Sequence, residues 1–489
     1  MQGVVAAGHP VTAEAGAAVL RAGGNAVDAV IAAGLASWTA EALLTGPGAG
    51  GYLMVGGAGR DPQLLDFFVA APSDGDRAPL TPVNVSFGGA DQLFHCGAAS
   101  VGTYGNPAGL AAASERWGTL PLGELAAPAA ELARTGVPLN AMQAYIVAIL
   151  DGIVTLTPEI ATRFAPGGRL LREGEPFRCP ELAATIERLG AEGTEPFYRG
   201  DIAAGAVACV QAAGGTLSAS DLAEYEAIVR TPARTSYHGH VVVTNPPPSA
   251  GGILLVAALD LLARGADGPP SVDRLLEAMR GAQALRTSEF DAGLADAGFL
   301  ERFVAANLGS TTHISALDTD GLACSMTCTN GEGSGLVVPG TGIHLNNIMG
   351  EEDLSPQGFF AAPAGRRMPS MMSPTLLYDE AGAVQAVLGS AGSNRIRSAL
   401  LQAIVAIADH GADATTAVEA PRVHAESGVV YSEPGAMPED WHPPIGEQHA
   451  PFDERNLFFG GAQVVCHDPL TGAVTAAGDP RRGGAVAFA

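Results

Sequence analysis

The hydrophobic period of this chain changes partway along it, and that change limits the folds open to it more than any other feature. Up to about residue 300, apolar side chains recur mostly at three- and four-residue spacing, as in helices; beyond 310 they alternate, as in half-buried strands. Residues 11–44 read as two helices joined at Gly23-Gly24-Asn25, with Asn25 as a cap. The helical period returns over 109–134, 142–150, 253–264 and 397–409, and 218–225 reads as a short capped helix. Pro246-Pro-Pro-Ser-Ala-Gly-Gly252 is a rigid elbow that cannot pair within a sheet. Residues 311–317 and 322–329 form a hairpin pattern, and 375–378, 383–389, 463–467 and 474–477 read as further strands. Helices first and antiparallel strands later predict an α+β fold, layered αββα around one extended core.

Composition removes whole classes of function. All 26 basic residues are Arg, so chemistry that needs an ε-amine, such as a pyridoxal Schiff base or a Walker lysine, is excluded. A formal charge of -25 repels phosphate backbones and anionic lipid, which argues against nucleic acid and membrane as partners. Asp28, Glu41, Asp151, Asp260 and Asp409 interrupt the long apolar stretches, so none reads as a membrane span. The opening Met-Gln-Gly-Val-Val has no basic and apolar leader pattern, which predicts a cytoplasmic protein. Six cysteines without paired CxxC spacing read as buried thiols; Cys324 and Cys328 share one face of a strand and read as packing residues. The segment 46–51 contains G-x-G-x-x-G, but it follows a helix and precedes a strand, the reverse of a dinucleotide-binding turn.

If Asp320-Gly321 is a two-residue turn, paired positions sum to 641, and Thr311 lies opposite Asn330 and beside Thr329. A threonine hydroxyl is inert at its own pKa and needs an adjacent base. A threonine that begins a chain carries that base as its own α-amine, near pKa 7.7 to 8.0. The bond that would create such an end is Ser310-Thr311. Taken alone, Thr-Thr at a strand start is an ordinary β-branched pair.

The segment Gly309-Ser-Thr-Thr-His-Ile-Ser-Ala-Leu-Asp-Thr-Asp-Gly321 resembles the one at which precursors of the γ-glutamyltransferase family cut themselves. Gly23-Gly-Asn-Ala-Val-Asp-Ala29, the 246–252 elbow, Val338-Pro-Gly-Thr-Gly-Ile-His-Leu-Asn-Asn347, Met372-Ser-Pro-Thr375, Glu419-Ala-Pro-Arg422 and Asp479-Pro-Arg-Arg-Gly-Gly484 also resemble that family, in its order. The resemblance implies an N-terminal-nucleophile hydrolase fold, a four-layer αββα sandwich. It implies a large subunit of residues 1–310 and a small one of 311–489, intertwined in one structural domain, with no metal or organic cofactor. The partners implied are a small-molecule substrate and the chain's own two fragments as a heterodimer, alone or dimerised further. Thr311 would be the self-cleaving residue and the nucleophile, Thr329 its supporting hydroxyl, and the backbone N–H groups of Gly392 and Ser393 the oxyanion hole.

Departures from the family fall on its amino-acid clamp. Where the family has arginine in an Asp-Phe-Arg-Glu-x-Ala-Pro stretch, this chain reads Asp66-Phe-Phe68-Val69-Ala-Ala-Pro72. Substrate-contacting positions become Ile348, Glu351, Ser370 and Met371, the second oxyanion glycine is Ser393, and a stretch about two residues shorter makes Asn330 the nearest match for the family's substrate asparagine. Phe68, Ile348 and Met371 make the pocket more apolar, which points to an acyl group other than glutamyl; the resemblance implies a place in specialised biosynthesis, where some relatives of the family work. The alternatives are γ-glutamyl transfer or glutathione hydrolysis with Glu351 and an arginine such as Arg395 or Arg60 replacing the lost contact, hydrolysis of a carbon–carbon bond next to a carbonyl, and an unprocessed binding subunit.

Overall fold

In a computed structural model, residues 3–86, 91–265, 268–285, 311–355 and 357–489 are described. Ser310 and the bond it shares with Thr311 lie outside them. Two sheets pack face to face. The first runs Ala485–Phe488, Val4–Ala7, Thr312–Leu317, Leu322–Thr329, Gly50–Gly57, Arg60–Phe67, Ile228–Arg230, all antiparallel. The second runs Val474–Gly478, Gly461–His467, Val384–Ala391, Thr375–Tyr378, His240–Thr244, Ala233–Tyr237. Helices Pro10–Arg21, Ala26–Ala40 and Asn106–Trp117 cover the outside of the first sheet, and Ala250–Ala263 and Arg395–His410 cover the second. The result is the four-layer αββα sandwich. Among the described residues no helix is long and apolar enough to cross a membrane.

Local signals in the sequence account for most boundaries. Asn25 closes a capping box with Asp28 at the start of Ala26–Ala40, and Ser218 does the same with Asp221 before Ala219–Ala223. Six strands of the two sheets come from the first half of the chain, and of these the core of Gly50–Gly57 is the one that reads as strand in the sequence. Val4–Ala7 and Gly50–Gly57 are buried on both faces, so their sequences show continuous apolar runs. The elbow is also less isolated than expected: Ser249 bridges Ser370, and the helix that follows starts at Ala250, inside the motif.

The hairpin register differs from the sequence expectation by one residue. Thr312 pairs with Cys328 and Leu317 with Ala323, so paired positions sum to 640 rather than 641. Asp318 is the reason. Its backbone N–H donates to the Leu322 carbonyl at 3.0 Å, and its Oδ1 accepts from the N–H groups of Asp320 and Leu322, both at 3.0 Å. This makes a three-residue loop with Gly321 at φ +83°, where a side chain would be strained.

Between the sheets lies a polar seam inside an apolar layer. The His313 ring contacts Thr327 Oγ1 at 2.8 Å and Ser315 Oγ at 2.9 Å. Ser315 Oγ donates to the Gln463 carbonyl and Ser325 Oγ to the Leu388 carbonyl, both at 3.1 Å, which joins the first sheet to the second. Gly389 leaves the space for the ring: a Cβ there would fall 2.1 Å from it. Burial pushes the His313 pKa down to about 3. Because the folded value lies below the unfolded 6.5, the stability this neutral ring contributes is complete above pH 6.5 and is lost as pH falls toward 3. Between pH 7 and pH 5 His313 should account for about 2 kcal/mol of lost stability. Urea unfolding of wild type and His313→Gln at both pH values checks this: the variant should lose that much less on acidification, and an equal loss would count against a neutral buried ring.

Candidate active site

Extending the observed register by one step sets Thr311 opposite Thr329, so Thr329 rather than Asn330 is its direct neighbour across the hairpin. Both share a face with His313 and Thr327, the face turned toward the second sheet. The described positions singled out from the sequence, Thr311, Thr329, Phe68, Asn330, Ile348, Glu351, Ser370, Met371 and Ser393, are all 0–5% exposed. Thr329, Asn330 and Glu351 meet in the loop that follows the hairpin.

A tight loop after the hairpin positions Thr329. Its Oγ1 accepts from the Gly331 N–H at 2.9 Å. Gly331 has φ +61°, and a Cβ there would strike Asn347 Oδ1 and Glu351 Oε1, so the loop closes directly over those two side chains. Asn347 Oδ1 accepts from the N–H groups of Glu332 and Gly333 at 2.9 and 3.0 Å. Asn346 ties the same segment to Gly48 and Gly102, which leads the chain directly into Ile348 and Glu351. The Asn-Asn pair is therefore a brace for the loop. Asn330 is fully buried, with Nδ2 3.5 Å from His344 Nδ1 and Oδ1 without a partner among the described residues. Burial, with the Arg163 charge adding to it, pushes the His344 pKa down to about 3, so this ring is neutral near pH 7.

The proline-rich elbow holds the opposite wall. The Ser370 carbonyl accepts from the N–H groups of Ala250 and Gly251, and Ser249 Oγ donates to the same atom at 2.8 Å. A Cβ on Gly251 would overlap the Met371 carbonyl. Ser370 Oγ accepts from the Met372 N–H at 3.0 Å, which turns the serine toward its own backbone. Phe68 stacks on Tyr52, the inner-face residue opposite Thr327, with ring centroids 5.6 Å apart. Neither arginine considered as a substitute joins Phe68: Arg60 is exposed at the far end of its strand, and Arg395 sits over the Phe458 ring with Nε donating to the Phe458 carbonyl at 3.0 Å.

The turn at Gly392 and Ser393 has φ +112° and +68° and joins the strand Val384–Ala391 to the 16-residue helix Arg395–His410. Leu388 lies level with Ser325 and Gly389 against His313, so the strand runs toward Thr311 and delivers this turn to the same end. The positive end of the helix dipole begins there, a suitable environment for developing negative charge.

Glu41 escapes sequence reasoning, which treats it as a charge interrupting an apolar helix. It is fully buried, and its carboxyl group accepts from Thr312 Oγ1 at 2.5 Å and Thr12 Oγ1 at 2.8 Å. Burial pushes its pKa up, with the two hydroxyl groups opposing. It thereby anchors the residue that follows Thr311. Among the described residues, no cluster of His, Cys, Asp and Glu has a metal-holding arrangement.

The family model described as Gamma-glutamyltranspeptidase matches residues 12–302 and 295–489. The chain is 28% identical to the glutathione hydrolase proenzyme of Bacillus subtilis (strain 168), across 99% of this chain and 91% of that one. It is 30% identical to the acylase ACY 1 proenzyme of Pseudomonas sp. (strain SE83), across 90% of this chain and 85% of the relative. The crystal structure of cephalosporin acylase from Bacillus halodurans superposes with a TM-score of 0.81 at 26% identity, covering 99% of this chain and 95% of that one. With a family match along nearly its whole length and the four-layer sandwich in common, the chain belongs to the gamma-glutamyltranspeptidase family and is a hydrolase of the N-terminal-nucleophile type.

Proposed function

We propose that the chain cuts itself between Ser310 and Thr311 and then acts as an acylase or acyltransferase on a small molecule whose acyl group is not glutamyl, in a specialised biosynthetic pathway. The observation that carries this reading is the hairpin register, which extended by one step sets the buried Thr311 opposite Thr329 on the inner face, at the end of the sheets where the Gly392–Ser393 turn begins a helix. In the processed enzyme the Thr311 α-amine takes the proton from Oγ1, and Oγ1 attacks the substrate carbonyl. Thr329 supports the hydroxyl, and the Gly392 and Ser393 N–H groups receive the oxyanion, each donor worth about 3 to 4 kcal/mol. Collapse expels the leaving group with the amine's proton and leaves an ester on Thr311. Water attacks that ester, giving its proton to the amine, and the second collapse releases the acid and returns the proton to Oγ1. An acceptor amine in place of water gives transfer.

Relatives named acylases support a non-glutamyl acyl group, as do Phe68 on Tyr52 and the buried Ile348 and Met371. An apolar wall in place of a bidentate arginine leaves an α-carboxylate without its partner, a loss of about 1.5 to 3 kcal/mol for one charge-assisted contact.

Intact mass and a denaturing gel test the nucleophile. The 49.3 kDa wild-type chain should resolve into two fragments, the smaller beginning at Thr311, while Thr311→Ala stays whole and inactive. Thr329→Ala should fold and turn over more slowly. A wild-type chain that remains whole after long incubation, or full turnover by Thr311→Ala, would defeat the assignment.

Specificity is tested by kcat/KM on a γ-glutamyl anilide. Loss of the arginine contact alone should weaken transition-state binding roughly ten- to hundred-fold. A value above roughly 10⁴ M⁻¹s⁻¹ would show that glutamyl groups are well bound and that the apolar reading of the pocket is wrong.

A further inference from the structure

One buried arginine takes no part in the reaction above. Arg482 ends the helical turn Pro480–Arg482 and is 8% exposed. Two neighbours of like charge are neutralised: Arg481 pairs with Glu433 and Asp479, and Arg422 pairs with Asp479 at 2.7 Å. Arg482 has no such partner among the described residues. Its Nη2 donates to the Leu457 carbonyl at 3.3 Å, and its buried Nε has no hydrogen-bond partner among the described residues. A buried donor on a charged group is seldom left unmet unless a ligand completes it.

The position of the side chain indicates where such a ligand would sit. Its aliphatic stem lies across Gly461, where a Cβ would come 2.6–2.9 Å from Cβ, Cγ and Cδ of the arginine. Gly461 pairs with Ala391, the residue before the Gly392–Ser393 turn. The guanidinium lies beside that turn, with Nη2 3.2 Å from where a Cβ on Gly392 would stand. Glu332, three residues beyond Thr329, is close enough for its charge to act on Arg482, which ties the arginine to the nucleophile's side of the site. Burial and the nearby Arg395 push the Arg482 pKa down to about 10, so the group stays cationic at neutral pH. The packed stem holds the fork in one place before any ligand arrives, and a carboxylate is the anion that such a planar fork fits best.

We propose that Arg482 is a specificity-determining residue that binds a carboxylate on the acyl part of the substrate, near the carbonyl attacked by Thr311. This rests on the Thr311 reading above. The carboxylate satisfies Nε, neutralises the buried charge and fixes the carbonyl against the Gly392–Ser393 turn. An acyl group with one carboxylate and no amino group suits a pocket that is apolar at Phe68, Ile348 and Met371 and cationic at Arg482.

Two esters that differ only at the far end of the acyl chain test this. Mono-p-nitrophenyl succinate carries a carboxylate where p-nitrophenyl butyrate carries a methyl group. Processed wild type should prefer the succinate, and Arg482→Met should lower the ratio of the two kcat/KM values ten- to hundred-fold. Arg482→Lys should keep part of the preference, because the charge remains without the fork. An unchanged ratio in Arg482→Met, or equal losses on both esters, would overturn the proposal in favour of a role in holding the turn alone. If Arg482→Met does not self-cleave, the ratio is read in Arg482→Lys, where a fall of threefold or more supports the proposal and no fall overturns it. Failure of the underlying reading looks different: wild type would then release nitrophenol from neither ester faster than Thr311→Ala does.

Discussion

The three-residue loop after Asp318 sets the register on which the rest of the site depends. Side chains in a strand alternate between faces, so a shift of one residue in one arm of the hairpin would turn Thr329 toward the helices and bring Asn330 inward. Asp318 prevents that shift by accepting from Asp320 and Leu322 while its other oxygen accepts from the Ala26 N–H at 3.1 Å. The same carboxylate thus fixes the central hairpin and the start of the helix Ala26–Ala40. At the far end of that helix Glu41 reaches back to Thr312. Hairpin and helix are fastened to each other at both ends, and Thr311 extends from the second fastening.

A polar seam between two sheets is an uncommon way to build a core, because each buried group must find a partner. Here the partners come from the facing sheet. Ser315 and Ser325 donate to backbone carbonyls of the second sheet, and the Thr375 N–H donates back to Ser325 Oγ at 3.2 Å. Those bonds have direction where apolar contacts have none, so they resist sliding of one sheet over the other. The catalytic arrangement proposed here draws its hydroxyl groups from one sheet and its oxyanion donors from the other, and so requires that resistance. Gly389 lets the second layer pack directly against the His313 ring, three residues before Gly392.

Much of this architecture is legible in the sequence, and what is not has identifiable causes. Caps at Asn25 and Ser218, the hairpin itself and the later strands follow from local patterns that fold as written. The register does not, because Asp320-Gly321 satisfies a two-residue turn as well as the observed loop, and the deciding bonds come from Asp318, outside the pair. Val4–Ala7 leaves no alternation to find, since both of its faces are covered. Glu41 and Arg482 are the harder cases. A charge within an apolar run signals exposure or interruption far more often than a buried brace, and only the fold reveals that Thr12 and Thr312 meet Glu41 from two other elements. The double arginine at 481 and 482 is read from the sequence only as part of a family-like motif, yet the first is consumed in ion pairs and the second has none among the described residues.

An anionic substrate must approach a chain of formal charge -25, and the two facts are compatible because they act at different ranges. At physiological ionic strength the field of exposed carboxylates decays over a Debye length of about 8 Å, so it taxes the rate of encounter and little else. Inside the interface water is excluded and screening is weak, so the sign of the nearest buried groups decides what is held. Arg422 and Arg481 are buried and bound to the buried acids Glu433 and Asp479, while Arg482 lies beside the Gly392–Ser393 turn. The Arg482 charge also favours an oxyanion on the turn itself, so one cation serves both the proposed ground-state carboxylate and the proposed tetrahedral intermediate. What separates the two roles is geometry: a fork fixed over Gly461 can meet a carboxylate through two bonds, whereas its effect on the oxyanion is that of a charge at a distance.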